Sequence, residues 1–263
     1  MMTSPSARLL RGFATDFLTC HNPSVVERIM DPAYCLSIGG FLLDGRDQSY
    51  LPATAAQLDQ FPGLCVTVHD TIIGTEAVAM RFTEHGASLK HGGRVSTWGG
   101  VTLFRIENGR LRQGWAEEDY FARKRQLATG IPDAIKPPHA APWDGEPLGP
   151  DRGTEAIARD WLATLPSGPM IDEISAQGPR FGELVDSDRV EVSALFTAGP
   201  RAAFHAVCPG RYSGGFDDID PGRIGQPVTL RIAGLLTTDG NTVVNTQITA
   251  DRLGLHRSLM DPR

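Results

Sequence analysis

The second half of this chain repeats the closing part of its first half, and this repeat constrains the fold more than any other feature. Residues 75–127 contain a strand pattern, a Gly-rich turn, a second strand pattern and a polar closing strand, and residues 200–259 follow the same order. Each copy ends in an aspartate, Asp119 or Asp251, with a leucine eight residues later. Because the copies share this frame but differ in their polar residues, the repeat predicts one working site and one supporting copy.

The order of the sequence patterns predicts an α+β fold. Apolar residues at helical spacing indicate helices at residues 6–20, 22–30 and 48–58. Alternating patterns indicate strands at residues 65–73, 76–85, 95–107 and 111–119, with Asn108-Gly109 as a hairpin signal. Helices followed by consecutive strands indicate helices packed on a curved antiparallel sheet.

A Pro-rich segment separates the two copies. Residues 128–152 carry six prolines and three glycines, which excludes a helix or a central strand there. We therefore expect a first domain at residues 1–130, a linker at 131–152 and a second domain at 153–263. The second copy has no clear counterpart of residues 34–58, so we expect a shortened domain.

Charge and composition exclude several classes of protein. The net charge is −6, and the densest basic group, residues 123–125, lies beside acidic residues and is interpreted as a solvated helix face. A general nucleic-acid surface is therefore not expected. The four cysteines lack paired spacing, and no apolar run is long enough for a signal peptide or a membrane span. We expect a cytoplasmic protein with reduced thiols and no membrane partner.

Three short stretches carry a resemblance to a known family. They are Phe-Pro-Gly-Leu at residues 61–64, Val-Ala-Met-Arg-Phe-Thr at 78–83, and Gly-Arg-Leu-Arg-Gln-Gly-Trp at 109–115 with Asp119 four residues later. Together they resemble the SnoaL-like polyketide cyclases, within the superfamily that shares the fold of nuclear transport factor two. The resemblance covers residues 8–130 well and residues 153–260 more weakly. It implies two cone-shaped domains, each with helices packed on a curved sheet.

The closing strand of the first copy supplies the main site candidates. Trp115, Glu117 and Asp119 share one face, because strand side chains alternate. If that face lines the cone, Trp115 forms an aromatic wall and the carboxyl groups lie at one end. The resemblance implies that Asp119 is the acid/base group. In the alternative, Glu117 and Asp119 form a solvated strand end that pairs with Arg123.

Arg81 and His85 complete the expected catalytic set. Arg81 lies in the middle of a strand and must find a partner or face a cavity. It either pairs with Asp119 and binds a substrate enolate or points outward to solvent or a dimer partner. His85 flanks the Gly-rich turn and is either an acid/base group or a solvated loop histidine.

Three further residues are candidates for substrate binding. His69 alternates with Thr67 on its strand and either faces the cavity as a neutral base or has its hydrogen bonds satisfied within the sheet. Tyr34 and Trp98 are aromatic residues that either line a pocket or belong to the core.

Our leading hypothesis is an enzyme that uses acid/base catalysis without a cofactor or metal. It would be a cyclase, isomerase or dehydratase for a hydrophobic carbonyl compound such as a polyketide, steroid or terpenoid. The alternative is a non-catalytic protein that binds a small hydrophobic molecule. In this alternative the second domain acts as a built-in dimer partner, and such a fused pair makes a monomeric chain possible.

Overall fold

Two β-sheets, each covered by helices, make up the computed structural model, which describes residues 3–165 and 177–260. The expected domains also include residues 1–2, 166–176 and 261–263, which lie outside the described residues. Within the described residues the fold is of the expected α+β class.

The first half of the chain begins with helices, because capping residues and prolines start them at defined points. Ser4 caps α1 by accepting from the Ala7 backbone, and Asn22 caps the turn ahead of α2. The helices are α1 (Pro5–Arg11), α2 (Val26–Ile29), α3 (Leu51–Gln60) and α4 (Tyr120–Thr129). A π-helix (Gly12–Thr19) continues α1, and a second π-helical segment (Arg46–Tyr50) precedes α3.

Six strands of this half form one sheet, in the order β2-β1-β6-β5-β4-β3. They are β1 (Met30–Ile38), β2 (Phe41–Asp44), β3 (Cys65–Ile73), β4 (Ala77–Ser88), β5 (Arg94–Glu107) and β6 (Arg110–Glu118). Strand β1 runs parallel to β6, whereas the other pairs are antiparallel. The expected antiparallel sheet is therefore mixed, since the chain crosses over through α3 before it begins the meander.

The second half keeps the meander and the closing helix. Its elements are α5 (Arg152–Thr164), α6 (Phe181–Leu184), β7 (Val185–Ser187), β8 (Glu191–Ala198), β9 (Arg201–Tyr212), β10 (Pro227–Thr238), β11 (Val243–Ala250) and α7 (Arg252–Met260). The strand order is β11-β10-β9-β7, and β8 pairs with the same edge of β9 as β7. In the described part of this half, no strand pair corresponds to β1 and β2.

The terminal aspartates fix how the two copies correspond. The Asp119 backbone N–H donates to the Gly99 carbonyl (2.9 Å), and the Asp119 side chain caps α4. The Asp251 backbone N–H donates to the Arg231 carbonyl (2.9 Å), and the Asp251 side chain caps the start of α7. The leucines eight residues later, Leu127 and Leu259, are both buried. The shared aspartate therefore has a structural role in both copies, as the residue that starts the closing helix.

The two sheets pack against each other through apolar side chains. One buried cluster joins residues of the first sheet to residues of the second: Ile72, Ala79, Val101 and Leu103 with Ala198, Ala203, Ala233 and Leu235. Each sheet packs its own helices on its other face, so two separate helix–sheet cores flank this central layer. Among the described residues, no helix is long and apolar enough to cross a membrane.

The segment between Thr129 and Arg152 contains no helix or strand. It runs along the outer edge of β3, where the His139 N–H donates to the Val68 carbonyl (2.8 Å) and the Leu148 N–H to the Ile73 carbonyl (3.1 Å). Trp143 packs against the core of the first half. The Pro-rich segment thus follows the first sheet instead of extending into solvent.

Candidate functional site

The first sheet and its helices enclose a cavity of about 220 Å³. Strands β1, β4, β5 and β6 form one wall, and the π-helix Gly12–Thr19 and α3 form the other. Most of the wall is apolar: Phe13, Leu18, Leu36, Ile38, Leu43, Phe82, Phe104 and Ala116. Apolar walls with a few polar groups are typical of small-molecule sites.

Two carboxyl groups meet in this cavity. Glu84 on β4 continues the face that carries Phe82, and Glu118 is the last residue of β6. On β5, Trp98 lies opposite Glu84 and Gly100 opposite Glu118, so the two carboxyl groups leave the same face of the sheet close together. The Trp98 indole N–H donates to Glu118 Oε2 (2.8 Å), and the Gln57 amide on α3 donates to Glu84 Oε2 (2.6 Å). These donors hold both carboxyl groups in fixed positions.

Burial changes the acidity of this carboxyl pair. Glu84 is 2% exposed and Glu118 8% exposed. Burial raises the pKa of Glu84 well above its ordinary value, and the charge of Glu118 raises it further. Burial also raises the pKa of Glu118, although hydrogen bonds from Trp98 and Tyr120 oppose this effect. Because two adjacent carboxyl groups do not readily ionise together, the pair keeps one proton at a pH where an exposed carboxyl has lost it.

Arg123 lies near the pair and stacks on aromatic rings. Its guanidinium carbon is 4.2 Å from the Tyr120 ring centre and 5.0 Å from that of Trp98. The positive charge lowers the pKa of both Glu84 and Glu118, against the effect of burial. Arg123 was expected on a solvated helix face with a possible pairing to Asp119, and the structure places it on these rings instead.

Two tyrosines, Tyr34 and Tyr50, also line the cavity. Burial raises the pKa of Tyr50 and raises that of Tyr34 well above its ordinary value, so both stay neutral. The Tyr34 hydroxyl lies directly against Gly114 and has no hydrogen-bond partner among the described residues. A side chain at position 114 would clash with it.

Trp115 and Glu117 were expected on the face of β6 that lines the cavity, but the structure places them on its other face. Ala116 and Glu118 line the cavity, whereas Trp115 packs into the cluster between the sheets. Glu117 Oε1 is hydrogen-bonded to His205 Nε2 of the second half (2.9 Å). Alternation correctly grouped the residues of each face, but it does not determine which face is concave.

Asp119 also lies away from the cavity. Its side chain accepts from the Ala122 N–H as a helix cap and forms a fork-shaped ion pair with Arg252 of the second half. Both side chains are 3% exposed. Asp119 therefore sits among fixed partners, between the two residues Glu118 and Tyr120 that do reach the cavity.

The remaining candidates lie on the face toward the second half or at its edge. Arg81 donates to the Gln247 amide oxygen (3.2 Å).

The two histidines are hydrogen-bonded within this part of the fold. His69 is hydrogen-bonded to Thr83 (2.7 Å) and to the Pro137 carbonyl (2.9 Å), and His85 is hydrogen-bonded to Thr67 (3.1 Å). Burial lowers the pKa of both histidines, so they are neutral near pH 7. Of the expected site residues, only Tyr34 lines the cavity, and Trp98 is linked to it through its hydrogen bond to Glu118. Arg81 and Trp98 line a separate pocket of about 330 Å³.

Sequence reasoning did not select Glu84, Glu118 or Gln57. One signal was present: Glu84 follows Val78, Met80 and Phe82 on the bulkier face of β4, and a carboxyl group that continues an apolar face is unusual. In the described parts of the chain, no three His, Cys, Asp or Glu side chains are grouped as metal ligands.

Comparison with known proteins gives matches among solved structures. No family model matches this sequence, and no curated protein matches it significantly. A protein from Jannaschia sp. CCS1 designated a SnoaL-like polyketide cyclase is 17% identical, with a TM-score of 0.43, and covers 47% of this chain and 92% of its own. TsrD from Streptomyces laurentii is 20% identical, with a TM-score of 0.43, and covers 48% of this chain and 97% of its own.

A third similar structure is an epoxide hydrolase from M. tuberculosis, described as LEH-like. It is 16% identical, with a TM-score of 0.40, and covers 49% of this chain and 93% of its own. Each of these three structures covers about half of this chain and more than nine tenths of its own.

Proposed function

We propose that the first domain is an acid/base enzyme that acts, without a cofactor, on a small neutral carbonyl compound. The observation that carries this proposal is the buried Glu84–Glu118 pair in an apolar cavity. A pair that shares one proton holds a base and an acid side by side at the same pH.

The proposed chemical step is enolisation. The ionised carboxylate of the pair removes a proton from the carbon beside the carbonyl, and the C–H electron pair forms the enol double bond. The carbonyl oxygen takes the proton of the other carboxyl group, so charge is conserved within the site. In a substrate with a C=C bond next to the enolised carbon, return of the proton to the far carbon of that bond gives an isomerised product. In ring closure the enol carbon attacks a second carbonyl of the substrate, whose oxygen takes a proton from the pair while the enol O–H proton returns to the pair.

The cavity favours a compact substrate. An apolar cavity of about 150 Å³ accepts benzene, so one of 220 Å³ fits roughly nine or ten non-hydrogen atoms. A larger polyketide or steroid would require α3 to move, and α3 buries none of its own residues. The carboxyl pair disfavours an anionic substrate by charge repulsion.

Deuterium exchange tests this proposal. Cyclohexanone in D₂O serves as the probe, and NMR measures loss of the protons beside its carbonyl. We expect Glu118→Gln and Glu84→Gln each to lower the enzyme-dependent rate about 100-fold or more. Glu107→Gln, an exposed carboxyl at the end of β5, is the control and should leave the rate unchanged. An unchanged rate in both cavity variants would falsify the role of the pair.

The second candidate function is non-catalytic binding of a small hydrophobic molecule, which the mostly apolar cavity wall favours. This second candidate predicts that cyclohexanone binds to the protein, but that its deuterium exchange is no faster than in a solution without the protein.

For either function we propose that the second domain acts as a built-in dimer partner. The apolar cluster between the sheets supports this, because it covers the open face of each sheet within one chain. Light scattering should then give the mass of a single chain, 28.4 kDa. A mass of twice that value would contradict it.

A further inference from the structure

Three consecutive residues link the cavity to the second domain. Glu118 and Tyr120 both line the cavity. Asp119 lies between them in sequence and points the other way, to Arg252 at the start of α7. Any movement of Asp119 is therefore transmitted through the backbone to both cavity residues.

Arg252 is itself held firmly in place. Its Nε donates to Asp119 Oδ1 (3.1 Å), its Nη2 donates to Asp119 Oδ2, and its Nη1 donates to the carbonyls of Gln177 (2.8 Å) and Pro179 (3.2 Å). The guanidinium carbon is also 5.4 Å from the Phe121 ring centre. A fork-shaped contact between planar groups fixes both the distance and the orientation of the carboxylate.

The second copy indicates that this ion pair is not needed for the helix cap alone. Asp251 makes the same cap, with Oδ1 accepting from the Gly254 N–H (2.8 Å). Its Oδ2 accepts no hydrogen bond among the described residues, and the counterpart of Arg252 in the first copy is Tyr120. A buried ion pair also adds little net stability, because the cost of desolvating both charged groups offsets their attraction.

We propose that Arg252 of the second domain is a positioning residue for the carboxyl pair of the first. Through Asp119 it holds Glu118 and Tyr120 where the proposed proton transfer requires them, and this inference rests on the proposed function. The second domain then completes the site from outside the cavity.

The indole of Trp98 provides a readout at the site, because its N–H donates to Glu118. Its ¹⁵N–¹H signal should follow the ionisation of the pair. The charged or titratable groups that influence Glu118 are its neighbour Glu117 on β6, Glu84 on β4, Tyr120 and Arg123 on α4, and Tyr50 ahead of α3. In the wild-type protein we expect a titration midpoint above the ordinary carboxyl range.

The test variant is Asp119→Asn with Arg252→Met, which removes both charges and keeps a helix-capping side chain. We expect a folded protein whose Trp98 midpoint falls by about one pH unit, because water reaches a less fixed Glu118. Cyclohexanone exchange should fall about tenfold as the pair loses its alignment. Arg252→Lys keeps the positive charge but cannot make the two-point contact with Asp119. Its Trp98 midpoint and its exchange rate should lie between those of the wild type and the double variant. This single variant also provides the test if the double variant does not fold.

Arg257→Met is the matched control, since Arg257 is exposed on the same helix. It should change neither the midpoint nor the exchange rate. If the double variant and Arg252→Lys both keep the wild-type midpoint and exchange rate, Arg252 has only a structural role and the inference is refuted. A wild-type midpoint in the ordinary carboxyl range would instead refute the proposed function.

Discussion

The two copies have the same strand registers but different residues at the positions that face their helices. In the first copy, Glu84 lies opposite Trp98 across β4 and β5, and Glu118 lies opposite Gly100. In the second copy, the equivalent pairs are Cys208 with Leu230, and Ala250 with Ile232. The carboxyl groups and the indole of these pairs are thus replaced by side chains that pack in the core of the second half.

This difference shows how one framework serves two purposes. Cys208 and Leu230 are fully buried in the core of the second half, and burial raises the pKa of the Cys208 thiol to about 12, so it stays unreactive. In the first half, the same positions hold a carboxyl group and an indole that leave a cavity. A duplicated fold can therefore keep one copy for stability and the other for a site.

The two aspartate caps give the largest expected contrast. Asp119→Ala removes a cap and leaves Arg252 buried without its carboxylate, which should lower the free energy of unfolding by about 4 kcal/mol. Asp251→Ala removes only a cap and should lower it by about 1 kcal/mol. Urea denaturation measures both values. Equal losses would show that the Asp119–Arg252 pair adds nothing to the shared cap.

The positions of Arg81 and His205 correspond in the two copies and should differ in their response to pH. Burial and the charge of Arg231 lower the pKa of His205 to about 4. As the pH falls from 7 to 4, the unfolded chain binds a proton there that the folded chain does not. The stability of the wild-type protein relative to His205→Gln should therefore fall by about 3 kcal/mol.

Urea denaturation at several pH values tests this expectation. Arg81→Gln is the comparison variant, because arginine stays charged throughout. Its stability difference from wild type between pH 7 and 5 should change only through His69, whose pKa the Arg81 charge lowers. The burial-raised pKa of Glu117, the hydrogen-bond partner of His205, acts in the opposite direction, so the same comparison is repeated in a Glu117→Gln background, where the contribution of the histidine stands alone. A flat profile for His205→Gln would mean that the buried imidazole accepts its proton normally.

The smallest expected effect is a gain of stability in the first copy. Replacing both Glu84 and Glu118 by glutamine removes two buried carboxyl groups and should raise the free energy of unfolding by about 1 kcal/mol at pH 8. Thermal denaturation detects this change. A loss of stability would place the carboxyl pair among the groups that hold the domain together.

Much of the fold could be predicted from the sequence, because its signals are local. Alternation placed the four strands of each meander, and Asn108-Gly109 marked the β5–β6 hairpin. The parallel contact between β1 and β6 could not be predicted, since it joins segments about 80 residues apart. The α6–β7 segment is too short to leave a periodic pattern.

The site was harder to predict than the fold for a related reason. Trp115 and Glu117 were grouped correctly on one face of β6, but which face is concave depends on how the whole sheet curves. The role of Asp119 depends on Arg252, which lies in the other copy. Tyr34 and Trp98 were easier to place, because large aromatic residues near a cavity are also core residues.

The path of residues 130–151 along β3 has a consequence for association between molecules. An outer strand offers unpaired backbone groups to other chains, and β3 has part of its edge covered by this segment. The covering segment is rich in proline, which lacks an N–H donor, so strand pairing cannot readily continue beyond it. The same peptide that joins the two copies thus protects one side of the first sheet from aggregation.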